Sequence, residues 1–290
     1  MTVIKTVTEA YMQMYQIISE ELHPEIKSIL DSESIPTHQI FKSVSKKLSD
    51  LGKQGQDSGI EDSKPKKGSS RAVYFPKDHK EITVDGTKTK TPTAIKIAFE
   101  GQLDKHHGED TLLGQDQNRL ESDHHINRHY GVLGHDENGN YKTNHDGVLA
   151  PVFESHAEGH HLEMGRVEKY NAKDLANHTK NKEFPKGLSH QQITDSLNYE
   201  HSQAHGGRSG YSEPKDHDKV IDHPYVSNMI SMMHDSGMHP GDLNPHNMGV
   251  YVHPVTGHRH PVIIDYGFSN DIAKKYRTAR VNLAKKSRGW

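Results

Sequence analysis

The sequence predicts an α+β fold, on three observations. Apolar side chains near the N-terminus recur at helical spacing. The middle of the chain is written in short apolar runs separated by Gly, Asp and Ser, as strands are. A Met-bearing helical stretch then leads into a polar loop and a buried-type strand, Val262-Ile-Ile-Asp-Tyr-Gly-Phe268.

Composition narrows the class. The chain has 290 residues, of which 31% are hydrophobic, and its mean hydropathy is -0.90. That predicts a modest core with long solvated loops. The formal net charge of -3 carries no global nucleic-acid signature. Cysteine is absent, which excludes disulfides and a thiol nucleophile and fits a reducing compartment. No run approaches membrane-spanning length and the N-terminus lacks a signal-peptide pattern, so no membrane partner and a cytoplasmic location are expected. Histidine is the oddity, with 25 residues. The clusters His124/His125/His129, His156/His160/His161 and His253/His258/His260 have spacings from which zinc can be argued. Their scatter, and the lack of an H-E-x-x-H pattern, argue against a structural metal site, and the many imidazoles predict a pH-sensitive charge.

The elements follow in order. Val7, Ala10, Tyr11, Met14, Ile17, Ile18 and Leu22 form a one-sided helical stripe, interrupted by Pro24 and continued by Ile26, Ile29 and Leu30. Thr37 is placed to cap a second helix carrying Ile40, Phe41, Val44, Leu48 and Leu51. This helical pair packs on the domain behind it or docks a partner; packing is the simpler reading. Residues 52 to 68 are rich in Gly, Ser, Asp and Lys and read as a linker. Gly68-Ser-Ser-Arg-Ala-Val-Tyr-Phe75 opens a strand from a small-residue loop, where backbone N–H groups can approach phosphate oxygens. An ordinary turn has the same composition. Glu81-Ile-Thr-Val84, the turn Asp85-Gly86 and the alternating Thr93-Ala-Ile-Lys-Ile-Ala-Phe99 predict further strands. Asp116 to Tyr130 predicts a helix with Leu120 and Ile126 inward. Asp136 to Asn140 is a turn-rich connection. Val148 to Phe153 and His160 to Val167 read as the next strands. A helix is expected over Gln191 to Gln203, a flexible loop at Gly206-Gly-Arg-Ser-Gly210, and a helix from Val220 to Asp235 closed by Gly237.

Asp242 stands five residues before Asn247 in the polar loop, and Asp265 follows after a hairpin-length gap. Asp242-Leu-Asn-Pro-His-Asn247 resembles the catalytic loop D-x-x-x-x-N, and Asp265-Tyr-Gly267 resembles D-F-G, of the protein-kinase-like superfamily. The resemblance covers roughly residues 68 to 270. It implies a two-lobed α+β fold and an ATP- and Mg2+-dependent phosphotransferase acting on a hydroxyl, a protein Ser/Thr kinase in the first instance. The implied divisions are a helical segment at 1-52, a linker at 53-67, a sheet-rich lobe at 68-167, and a reduced second lobe with a basic tail at 168-290.

The resemblance also implies roles. Asp242 orients the accepting hydroxyl, and Asn247 and Asp265 bind magnesium. Lys96, in a segment resembling V-A-I-K, contacts the α- and β-phosphates and pairs with a helix glutamate. Glu121 is that partner, with Glu109 its rival. Gly68, Ser69, Ser70 and Ala72 line the nucleotide, and the Gly165-Arg166-Val167 backbone holds adenine. Turn stabilisation by Asp242 and Asn247 would explain the same residues without catalysis.

Departures from the pattern are plain. The phosphate loop has one glycine where the family has three, and no H-R-D pair precedes Asp242. The loop is nearer to aminoglycoside and choline kinases. No A-P-E motif follows Asp265, and little chain remains for a substrate platform. Small truncated members of this kind occur in viruses and mobile elements. A catalytically silent binding or assembly protein is therefore the alternative, and a protein substrate or assembly partner is expected under either reading. The stretch from Lys274 to Trp290 holds Lys274, Lys275, Arg277, Arg280, Lys285, Lys286 and Arg288 without an acid. It suits nucleic acid or an acidic partner, or is a solvated helix face.

Overall fold

A computed structural model of the chain describes residues 22–101, 103–106, 112–136, 140–169, 190–204, 212–238, 247–267, 269–279 and 281. It is a mixed α+β structure with three sheets.

Two helices lead. Helix α1 (Pro24–Leu30) begins at Pro24, whose missing N–H costs nothing in a first turn, while the His23 ring accepts from Glu25 N. The proline expected to interrupt a helix therefore starts one, and the stripe expected before residue 22 lies outside the described residues. Helix α2 (Thr37–Lys53) buries Ile40, Val44, Leu48 and Leu51 on one stripe. Thr37 does not cap it. Pro36 occupies the cap position, and the Thr37 hydroxyl accepts from Gln115 Nε2 at 2.9 Å.

The first sheet has the order β1 (Lys66–Lys67), β2 (Arg71–Tyr74), β5 (Thr93–Ala98), β9 (His161–Gly165) and β8 (Val152–Ser155), all antiparallel. Alternation gives it two faces. Ala72, Tyr74, Ile95 and Ile97 meet the buried stripe of α1 and α2. Lys96 stands on the opposite face, with Val73 and Leu162 as its cross-strand neighbours. The helical pair thus packs on its own domain. The stretch expected to be a linker is pinned as well: Ile60 is buried in that core, and Glu61 N donates to Phe75 O at 2.9 Å.

A second sheet runs β4 (Thr87–Thr91), β3 (Lys80–Val84), β7 (Tyr141–Thr143), β6 (Leu133–His135). Sequence reading placed only a connection around β6 and β7, because these three-residue strands carry almost no apolar alternation. The third sheet, β10 (Glu168–Lys169), β11 (Met248–Val252) and β12 (Arg259–Ile263), is antiparallel.

The helix expected from Asp116 to Tyr130 is two helices, α3 (Leu113–Glu121) and α4 (His124–Tyr130). Asp123 makes the break by accepting from His125 N at 2.9 Å and Ile126 N at 3.2 Å, a side-chain N-cap. Helix α5 (His190–Ala204) follows. The helix expected from Val220 is also divided, into α6 (His217–Ile221) and α7 (Pro224–Ser236), where His223 caps and Pro224 starts the second. Gly237 closes α7 at φ 62°, a left-handed conformation that glycine adopts without strain. The apolar faces of α5 and α7 pack with Val148, Leu149, Ile263 and Tyr266 in one core. A short helix α8 (Asn270–Lys275) follows, capped by the Ser269 hydroxyl accepting from Ile272 N. No helix among the described residues is long and apolar enough to cross a membrane.

Candidate functional site

Four charged side chains from distant parts of the sequence meet between β5, α3 and the end of β12. Lys96 lies mid-strand in β5, an interior strand, and is 6% exposed. Its Nζ donates to Glu121 Oε2 at 2.6 Å and to the Ile264 carbonyl. Glu121, at the last turn of α3, is fully buried. Arg71, the first residue of β2, sends Nη1 to within 2.7 Å of Glu121 Oε1 and Nη2 to Asp265 Oδ1. Arg71 Nη1 also donates to Asn118 Oδ1 at 3.3 Å. Asp265 is the member that reaches the surface, with a side chain 43% exposed.

The cluster is charge-balanced, and burial makes that balance necessary. An unpaired ion in such surroundings costs several kcal/mol, on the order of the whole stability of a domain. Burial and the neighbouring Arg71 guanidinium lower the Lys96 pKa despite the pull of Glu121. Burial raises the Asp265 carboxyl, but Arg71 and Lys96 outweigh it and hold the group below the ordinary carboxylate range. The acid is therefore ionised at neutral pH.

The segment after β12 is fixed to α3 by its own residues. The Tyr266 hydroxyl donates to the Glu121 carbonyl at 2.7 Å and accepts from Asn127 Nδ2 at 2.7 Å. Gly267 passes so close to Gln117 that a Cβ would collide with that residue's backbone. The tyrosine hydroxyl and the glycine thus set where Asp265 points relative to Glu121. Asn247 precedes β11 at the same end of the hairpin, and its carbonyl accepts from Ile264 N at 2.8 Å. Asn247 and Asp265 therefore leave neighbouring strands at the same end of the hairpin.

The other sequence-predicted residues are distributed less favourably. Gly68 to Ser70 form the turn between β1 and β2, closed by Gly68 N donating to Arg71 O at 2.8 Å. Ser70 is buried, with its hydroxyl on Gln117 Oε1 at 2.5 Å. The Ser69 and Ser70 carbonyls pack against Gly101 and Gly114, so the turn is seated on α3. Ala72 faces the α1–α2 core, on the other side of the sheet from Lys96. Gly165 N donates to Pro151 O at 2.8 Å and Arg166 N to Pro92 O at 2.9 Å, so both amides are committed within the fold. The adenine contact expected of them is closed at those two atoms. Arg166 instead pairs with Glu61 at 2.5 Å over the Phe75 ring. Val167 leads into β10, crossing from the first sheet to the third. Asp242, Glu109, the Gly206–Gly210 loop and the tail beyond residue 281 lie outside the described residues.

Sequence reading missed Arg71, which touches two of the expected site acids. A signal was present: Ala72-Val-Tyr-Phe75 is apolar at both parities, so its strand is buried on both faces. A charged first residue in such a strand requires a partner.

No protein-family model and no curated protein matches the chain.

Proposed function

We propose that the chain is a compact kinase-like phosphotransferase using ATP and magnesium to phosphorylate a hydroxyl, in the first instance on a protein. The observation that carries this reading is the meeting of Lys96, Glu121 and Asp265, with Asn247 at the same hairpin end as Asp265. A lysine anchored by a helix carboxylate is a cation held for phosphate oxygens, and Asp265 with Asn247 is a hard-oxygen pair for Mg2+. Asp242, in the loop before Asn247, takes the role of orienting the hydroxyl. Under this reading the first sheet with α3 is one lobe and the helices around α7 with the β11–β12 hairpin are the other. Phosphoryl transfer demands positioning and charge neutralisation above all, and this cluster supplies both.

The test is transfer of the labelled γ-phosphoryl group from ATP to the chain itself or to a generic protein acceptor in the presence of Mg2+. Lys96→Ala abolishes transfer, and Asp242→Asn abolishes it while leaving an ATP-dependent thermal shift. Absence of both transfer and any shift with ATP and Mg2+ defeats the proposal.

One observation favours a second reading, a catalytically silent binding module. Arg71 already neutralises Asp265, and the Gly165 and Arg166 amides are already spent. Under it, ATP and Mg2+ give no turnover, and Arg71→Ala raises the affinity of the site for Mg2+ by freeing the carboxylate.

A further inference from the structure

A second polar cluster lies on the opposite side of the first sheet, between α1 and the β8–β9 edge. Asp31 follows the last turn of α1, Glu154 sits in β8 and His161 opens β9. One ligating atom from each lies within 4.8 Å of the others. His161 is 5% exposed and its Nδ1 has no hydrogen-bond partner. A buried ring nitrogen left without a partner costs about 1–3 kcal/mol, and His161 lines a cavity of about 40 Å3 together with Asp31, Glu154 and Glu163. That space exceeds the roughly 10–15 Å3 that one water needs.

We infer that Asp31, Glu154 and His161 form a binding site for a divalent transition cation of the zinc class, which clamps α1 to the sheet. One imidazole and two carboxylates are a ligand set that zinc accepts, leaving a fourth position for water. A tetrahedral zinc site has ligand–ligand edges of about 3.4 Å, so closing the triangle takes small side-chain rotations. The exposed Asp31 is the arm with freedom to make them. Metal ligation needs a neutral imidazole.

Two ammonium groups face the cluster and must be weighed. Lys80 holds Glu163 and lies 3.2 Å from Glu154 Oε2, and Lys27 lies 3.8 Å from Asp31 Oδ2. Against these stand the three carboxylates of Asp31, Glu154 and Glu163, so the local balance before metal is still negative. Lys80 also fixes Glu154 in place, as outer partners of metal ligands commonly do.

Titration of chelator-stripped full-length chain with Zn2+, followed by calorimetry, and with Co2+, followed by visible absorption, tests the site. One equivalent binds tightly, raises the melting temperature and protects the backbone around residues 24 to 31 from hydrogen exchange. D31N, E154Q and H161Q each weaken that binding more than about tenfold. D31N changes an exposed side chain and leaves folding intact, so it stands as the decisive variant if H161Q fails to fold. The exposed pair His125 and His129, with rings 4.5 Å apart, is one rival zinc site among the described residues, and His258 with His260, rings 4.4 Å apart, is another. H125Q/H129Q leaves the tight equivalent in place, and so does D265N, which separates this site from the proposed magnesium position. Zinc uptake unchanged in D31N, or lost with H125Q/H129Q, overturns the inference.

Discussion

Arg71 holds two carboxylates that the rest of the cluster cannot satisfy alone. Glu121 has no contact with water, and Lys96 serves only one of its oxygens directly. Replacing Arg71 with Met keeps the stem and removes the charge, leaving the buried pair short of a cation. The expected cost is about 3–5 kcal/mol, read from urea unfolding against the parent chain. Tyr266→Phe is a finer cut. It removes one hydroxyl that donates to the Glu121 carbonyl and accepts from the Asn127 amide; those two groups keep their hydrogen bond to each other, so the expected cost is about 0.5–1.5 kcal/mol. Because that hydroxyl ties Asp265 to α3, the same variant should also weaken Mg2+-dependent nucleotide binding, measured by calorimetry. Lys96 and Asp265 were legible in the sequence because each interrupts an apolar strand run. The hydroxyl of Tyr266 was not, because a tyrosine in a buried run reads as bulk until its partners are seen.

At the scale of elements, helix breaks decide where the side chains point. Asp123 ends the continuity of α3 and α4, so Glu121 finishes one helix instead of sitting inside a longer one. Asp123→Ala removes two side-chain hydrogen bonds at the start of α4 and should cost about 0.5–2 kcal/mol, with the helical signal falling in circular dichroism. Gly267→Ala tests a different constraint. Its Cβ meets the Gln117 backbone, which cannot yield as a flexible side chain would, so the segment carrying Asp265 must shift. Under the phosphotransferase proposal, transfer falls while the fold persists. Helix α2 was legible because its apolar stripe is long and one-sided. The α3–α4 break was hidden in a single capping residue, Asp123, within a pattern that looks continuous, whereas the α6–α7 break was signalled by Pro224 and overridden by the apolar stripe that runs through it. Strands β6 and β7 were hidden because their backbone hydrogen bonds, and not apolar alternation, define them.

For the whole molecule, two buried histidines make stability depend on pH on the acid side. Burial first takes the pKa of His160 and His161 from 6.5 to about 4 in the folded chain, with His156 adding to the shift at both and Glu154 opposing it at His161. Below pH 6.5 the unfolded chain takes up protons that the folded rings refuse. Stability contributed by these rings is therefore complete above pH 6.5 and declines as pH falls towards about 4. At the alkaline end burial pushes the Tyr141 phenol up to about 12, so unfolding gains a proton-release drive above pH 10. Urea midpoints measured from pH 4 to 11 should trace a plateau with both shoulders, and His161→Phe should flatten the acid one.

The packing of α1 and α2 against Ala72, Tyr74, Ile95 and Ile97 has a practical corollary. Lys96 projects from the reverse side of the very strand whose other surface those helices shield. Trimming the polypeptide to begin at residue 53 would keep every group of the charged cluster yet bare a greasy sheet to solvent. Such a shortened version should precipitate or self-associate on sizing columns, so an assay of the proposed transfer on it would report lost solubility and say nothing about the charged cluster.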